Sequence, residues 1–468
     1  MKQSCVGAEE ENKRQEIRSW LKEQEAQMLQ DLAELISIPS VALKEAKRDT
    51  KEHAPFGSEC RRVLNAMEQI GARTGMQTED LDGYCLCLTA GKGAHEIGIW
   101  NHLDVVPEGE GWEYPPYQLT KRGEFLIGRG VQDNKGPAIA VLYALKYCME
   151  QGLLQNIRVR QILGCQEETG MQDVDWYLAK RPAPEYSFVA DCGFPVCCGE
   201  KGHAQVTFVT KDRLDGIVSL QAGTVANSIP AKAEAILEGG EILRTEGIGG
   251  HAAFPAGGLN ALYLLGLELE RRWNEDAGLK WSEKTAAAVQ FLRRAAEGGY
   301  GEKINLAQED EISGPLTCNA GIAGMQDGHL MLVLDIRYPI SASWDAVEKT
   351  LREEGLQAGF EITQCHNSNP YYMEKTHPFV QILMESWREK TGLTGEPYVM
   401  GGGTYARKIP NAVAFGPGLD RDLSQLQLKE GHGNCHGADE AECMENLRCA
   451  VEIYVEALIK LDQAFTGF

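Results

Sequence analysis

From about residue 60 to residue 200 the chain alternates short apolar runs with stretches of helical periodicity, and this alternation constrains the fold more than any other feature. Residues 96–101, 157–164 and 187–190 have the length and apolar character of buried strands. Residues 137–151 carry proline in the first turn and set Ile139, Leu142, Leu145 and Met149 on one face, which predicts a helix. An opening helix is expected over 14–36, with Ile17, Leu21, Leu29, Leu32, Leu35 and Ile36 as its apolar stripe and Pro39 as its stop. Strands that alternate with helices imply an α/β fold with a mixed, mostly parallel sheet covered by helices.

After Glu200 the texture changes. Residues 203–209, 231–238 and 329–339 alternate like half-exposed strands, and helical stretches fall near 259–275 and 283–297. That is the pattern of a separate α+β domain. The last strong helix, expected over 438–461 with Met444, Leu447, Val451, Val455 and Leu458, follows a histidine motif that belongs with the first domain. A chain of 468 residues exceeds one ordinary core. The expected division is therefore 1–198 for the first part of the catalytic domain, 199–373 for an inserted domain, and 374–468 for the return.

The charge balance narrows the partners. With 46 basic and 68 acidic residues the net charge is −22, which opposes phosphate backbones and anionic lipid. Nucleic acid and membrane surfaces are not expected partners. No apolar run reaches the roughly 18–20 residues of a membrane span, and the charged start MKQSCVGAEEENKRQEIRSW lacks an apolar signal core. A soluble, cytoplasmic protein is expected. Its 14 cysteines include no C-x-x-C pair, so reduced thiols packed as small apolar groups are expected, with Cys165, Cys192 and Cys435 beside candidate ligands.

Four short segments at expected strand ends or helix starts carry the chemistry, where open α/β sheets place their ligand sites. In Asn101-His102-Leu103-Asp104, His102 and Asp104 point to one side of an extended backbone. The carboxylate can hold one imidazole nitrogen and leave the other for a metal; a plain strand-end histidine is the bland reading. Asp133, before Lys135-Gly136-Pro137, reads either as an N-cap or as a carboxylate able to bridge two cations. Glu167 and Glu168 are adjacent carboxylates that repel unless a cation or proton intervenes. A metal on Glu168 would leave Glu167 as a general base; a charged loop is the alternative. Asp191 ends the third strand, and His436 lies in the late segment His436-Gly437-Ala438-Asp439-Glu440, ahead of the final helix. Two imidazoles and three carboxylates without thiolate suit a catalytic zinc site, with Co2+ or Mn2+ as substitutes. Two metals bridged by Asp133 could deprotonate a shared water and polarise a carbonyl.

The motifs HLDVVPEGEGW, GRGVQDNKGP, EETG, GEKG, RYP, GGGTYAR and HGADE, spread over nearly the whole chain, resemble those of a known family. It is the dizinc peptidase and amidohydrolase family of acetylornithine deacetylase, succinyl-diaminopimelate desuccinylase, glutamate carboxypeptidase and carnosinase. The likeness is greatest to the bacterial dipeptidase V (Xaa-His dipeptidase) branch. Two positions depart from the pattern: Asn101 stands where the family often has glycine, and the loop 419–434 is long.

The resemblance implies two zinc ions per chain, one on His102 and Asp191, one on Glu168 and His436, with Asp133 bridging. It makes Glu167 the general base and Asp104 the residue that orients His102. In the inserted domain, a lid by resemblance, it gives His251 oxyanion stabilisation, Asn227 a substrate contact and Arg337 the grip on a substrate C-terminal carboxylate. Gly402 and Gly403, within Gly401–Thr404, would offer backbone N–H groups to that carboxylate. Hinges near 199–202 and 373–377 would close the lid, and its size points to a monomer. The expected activity is hydrolysis of dipeptides or short peptides with a free C-terminus. An N-acyl-amino-acid deacylase of the desuccinylase or deacetylase type is the alternative, and a non-catalytic metal-binding protein the remote one.

Overall fold

The computed structural model describes residues 2–47, 53–275 and 281–465. The chain forms two compact units: Met1–Cys198 with Met373–Tyr398 and Thr404–Phe468, and Gly199–Tyr372 with Val399–Gly403.

The first unit is built on a mixed sheet in the order Gln77–Leu81, Cys85–Gly91, Ile157–Gly164, His95–His102, Tyr186–Val189, Ala412–Phe415, Val196–Glu200. Its centre is parallel: His95–His102 lies between Ile157–Gly164 and Tyr186–Val189, and Ala412–Phe415 continues in the same direction. The outer pairs are antiparallel. The central strands are buried along most of their length, as expected where helices cover a parallel sheet. Helix Lys135–Glu150 packs on these strands and against helices Met444–Ala464 and Lys2–Ile36. It is apolar on nearly every side, with Ile139, Val141, Leu142 and Leu145 fully buried, so it occupies the interior rather than a surface.

Register decides where the chemistry emerges. His102 pairs with Gly164, and Trp100 with Val189, so three neighbouring strands end side by side. Their next residues are Leu103-Asp104, Cys165–Glu168 and Ala190-Asp191.

Two helix starts lie far from expectation. The opening helix begins at Lys2, well before residue 14. The last helix begins at Met444 rather than 438, because Ala441–Cys443 is a strand paired with Phe125–Ile127 and Asp439 has φ +51°. A left-handed residue followed by a strand cannot open a helix.

The second unit is a seven-stranded antiparallel sheet, ordered Ile242–Glu246, Lys232–Leu237, Ile217–Ala222, Thr317–Gln326, His329–Tyr338, Gly202–Thr210, Phe360–Ser368. Helices Ala261–Glu275, Glu283–Ala296 and Trp344–Gln357 share its core, where Phe208, Phe291 and Phe360 meet. The five residues Val399–Gly403 group with this unit although the chain on either side belongs to the first.

Among the described residues no helix is long and apolar enough to cross a membrane. The described cysteines are free thiols; Cys165 is buried, Cys192 is half-buried, and Cys435 is exposed, so the last is not the packing residue expected.

Candidate metal centre

The first unit brings His102, Asp133, Glu168, Asp191 and His436 together at the carboxyl edge of the parallel strands. Two groups can each surround one ion, His102-Asp133-Asp191 and Asp133-Glu168-His436, with donor atoms within 4.8 Å of one another. Asp133 is common to both and divides its oxygens between them. Oδ1 lies 2.9 Å from His102 Nε2, and Oδ2 lies 3.1 Å from His436 Nε2. Asp191 Oδ2 is 3.5 Å from His102 Nε2, and Glu168 Oε1 is 3.3 Å from His436 Nε2.

Those spacings fit metal binding. Ligand bonds of about 2.0–2.2 Å in a tetrahedral zinc site put neighbouring donors about 3.3 Å apart. Among the described residues, Glu168 Oε1 is a buried oxygen that makes no hydrogen bond of acceptable geometry, although it lies close to His436. A carboxylate oxygen held this way points to a cation rather than to the imidazole. The charges agree. Burial, then the neighbouring carboxylates, raises Glu167 well above the usual range, and burial also raises Glu168 and Asp191. Asp133 is held low: burial opposes its charge, but hydrogen bonds from His102 and His436 prevail. Four carboxylates face two imidazoles, and a divalent ion would relieve the excess.

Orientation comes from the loops beneath. His102 Nδ1 donates to the main-chain carbonyl of Asp104 at 2.9 Å, with the Asp104 carboxylate farther off at 3.4 Å. Asp104 thus meets the ring most closely through its carbonyl, where its carboxylate was expected. The carboxylate does something else: it accepts the N–H groups of Glu167 at 3.2 Å and Glu168 at 3.1 Å, and so positions the paired glutamates. A cleft of about 960 Å³ adjoins the cluster, bordered by Asp133, Asn134, Asp191, Phe194, Trp387 and Arg421.

Sequence reasoning missed two supports here. Asn134, not Asp133, stands at the helix start, and its amide holds Asp191 Oδ1 at 2.6 Å. Glu440, expected in the first turn of the last helix, is a buried carboxylate that accepts N–H groups from Gly130, Gln132 and Asp133. The pairing of a lone arginine in GRG with the acid in HGADE was the available signal.

In the second unit Asn227, His251, Arg337 and the glycines also converge. Ser228 pairs with His251, and Ala252 N–H donates to the Asn227 carbonyl. Gly401 lies between Arg337 and Ala253, where an added Cβ would be 3.5 Å from each side chain. Gly402 and Gly403 follow it in the same unit. His251 is exposed, and its Nδ1 accepts Ala253 N–H at 3.1 Å, which puts the neutral ring's proton on Nε2. Arg337 is nearly buried; Nε donates to Asp335 at 3.0 Å and Nη1 to the Gly401 carbonyl at 2.6 Å. Arg337 and Asp335 thus form a salt bridge within one strand.

Fold and site together define a metal-dependent hydrolase. The chain belongs to peptidase family M20/M25/M40, whose family model matches residues 98–460, and is thus a metallopeptidase. A Staphylococcus saprophyticus protein bearing the name "Putative dipeptidase" is 31% identical over 95% of this chain and 99% of its own length. The Bacillus subtilis protein named "Putative dipeptidase YtjP" is 30% identical over 93% of this chain and 97% of its own. Human carnosine dipeptidase 1 superposes with a TM-score of 0.59 at 14% identity, covering 96% of this chain and 98% of that one. That last likeness speaks for the fold alone.

Proposed function

We propose that this protein is a zinc-dependent dipeptidase that binds two ions per chain and cleaves dipeptides or short peptides with a free C-terminal carboxylate. The observation that carries the reading is Asp133, which turns one oxygen to His102 and the other to His436. A carboxylate so divided suits a bridge between two cations. His102 and Asp191 would complete one position, Glu168 and His436 the other. When bound, the ions supply Lewis acidity to the scissile carbonyl and acidify the attacking water.

The chain's own groups do the rest. Glu167, beside the ligands but outside both groups, takes the proton of the attacking water and returns it to the leaving amine. Asp104 holds the Glu167–Glu168 backbone in place. His251, with its proton on Nε2, is the donor for the developing oxyanion. Arg337 uses Nε and Nη1 in fixing its own position, which leaves the Nη2 hydrogens for a substrate carboxylate. Asn227 and the N–H groups of Gly402 and Gly403 would add contacts. The names of the two bacterial relatives support a dipeptide substrate. A monomer acting in the cytoplasm remains part of this proposal, the monomer being drawn from the lid's length.

The test compares wild type with Glu167→Ala for zinc content and for hydrolysis of a dipeptide panel, N-acetyl and N-succinyl amino acids. Dipeptide turnover by wild type, lost in a variant that retains its zinc, is the expected result. Unchanged turnover in the variant would sink the mechanism. Preference for the N-acyl substrates would turn the assignment to a deacylase.

A further inference from the structure

Behind the metal-competent residues three amide side chains run in file into the core of the first unit. Gln161, Asn101 and Asn134 are each fully buried. Gln161 Nε2 donates to the main-chain carbonyl of Ala138 at 2.9 Å and to Asn101 Oδ1 at 3.1 Å. Asn101 Nδ2 donates to Asn134 Oδ1 at 2.7 Å and to the Ala190 carbonyl at 3.2 Å. Asn134 Nδ2 donates to the same carbonyl at 2.8 Å and to Asp191 Oδ1 at 2.6 Å.

The direction of this file is fixed at both ends by main-chain carbonyls, which can only accept. Turning any one amide over would set oxygen against oxygen in a site without solvent, where an unmade hydrogen bond is costly. Gln161 Oε1 meets no donor among the described residues. That amide is therefore oriented by what its nitrogen must reach and not by its own acceptor. The consequence falls on Asp191. Its Oδ1 is taken by Asn134, and Oδ2 is the oxygen on the His102 side, 3.5 Å from Nε2.

We propose that Gln161 and Asn101, acting through Asn134, are positioning residues that make Asp191 present Oδ2 alone to the metal position it shares with His102 and Asp133. Neither belongs to the two candidate ligand groups. Gln161 and Asn101 sit on adjacent central strands and Asn134 at a helix start, so rigid elements hold the file. The inference rests on the metal reading given under Proposed function.

Calorimetric titration of metal-stripped protein with zinc tests it, with Asp191→Ala and His436→Ala as references that identify the two binding steps. Asn101→Ala is expected to weaken the step lost in Asp191→Ala by about tenfold, the low end of the effect of removing a direct partner because Asn101 acts through Asn134, and to leave the other within about twofold. Gln161→Met, which keeps length but not donors, is expected to shift the same step in the same direction by less. Ile162→Val, a neighbouring core change, is expected to lower Tm and move neither step. Wild-type titrations for Asn101→Ala and Gln161→Met would overturn the inference. So would equal weakening of both steps in proportion to Tm. A wild-type protein that shows no zinc step would overturn the metal reading itself, and this inference with it.

Discussion

Arg129 and Glu440, 311 positions apart, form an ion pair with no exposure to speak of: Nη1 meets Oε2 at 2.7 Å, with side-chain exposures of 1% and 0%. The same carboxylate takes the N–H groups of Gly130, Gln132 and Asp133, and Arg129 Nη2 donates to the His436 carbonyl at 3.4 Å. One pair thus ties the loop of the bridging aspartate to the loop of the last histidine. Removing one partner leaves a buried charge unmatched, which costs about 3–5 kcal/mol. Glu440→Gln should therefore lose about that much in urea denaturation. Arg129→Met combined with Glu440→Leu should cost less than the sum of the two singles.

Metal removal should be felt in stability as well as in turnover. A ligand that binds only the folded chain adds about 2.7 kcal/mol when present at a hundred times its Kd. With four carboxylates crowded against two imidazoles, a chelator should lower Tm, and zinc should restore it. Scanning calorimetry with and without chelator checks this; equal Tm values would speak against a resident ion.

Arg337→Lys keeps the charge and loses the planar fork. Loss of a hydrogen bond to a charged group is worth about 1.5–3 kcal/mol, or about ten- to a hundredfold in kcat/KM. The loss should appear mainly in KM for a dipeptide, with zinc content unchanged. Wild type should also discriminate strongly against a C-terminally amidated dipeptide, and the variant far less.

Asp310 provides a pH-dependent handle on the second unit. Burial opposes its charge, but N–H groups of Ile312, Ser313 and Ser341 and the Ser313 hydroxyl bind the carboxylate and hold its pKa down at about 2. A folded pKa below the ordinary 3.8 means the stabilisation is present above about pH 4 and lost as pH falls toward 2. Asp310→Asn should destabilise this unit by about 1–2 kcal/mol at pH 7, a value discounted for partial exposure. The difference from wild type should shrink between pH 4 and pH 2 in denaturation curves taken across that range.

Much of the scaffold could be read locally. The strand at Ile157–Gly164 has the limits its apolar run suggested, and His95–His102 extends the expected one by a residue at each end. The last helix begins six residues later than expected because its apolar spacing is unbroken back to Ala441, while the strand pairing with Phe125–Ile127 lies far away in sequence. Asp104 was assigned to His102, yet which of its oxygens does the holding depends on the local turn.

By itself the sequence determined the alternation that makes an α/β sheet, and the types of side chain delivered to its carboxyl edge. Both follow from short-range spacing, since period and strand length fix which residues end a strand. Only the tertiary structure decided that Asp133 divides its oxygens between two histidines, that Glu440 organises a loop rather than a helix, and that a file of buried amides ends on Asp191. These depend on the direction of single hydrogen bonds between distant segments, and no periodicity in the chain encodes that direction.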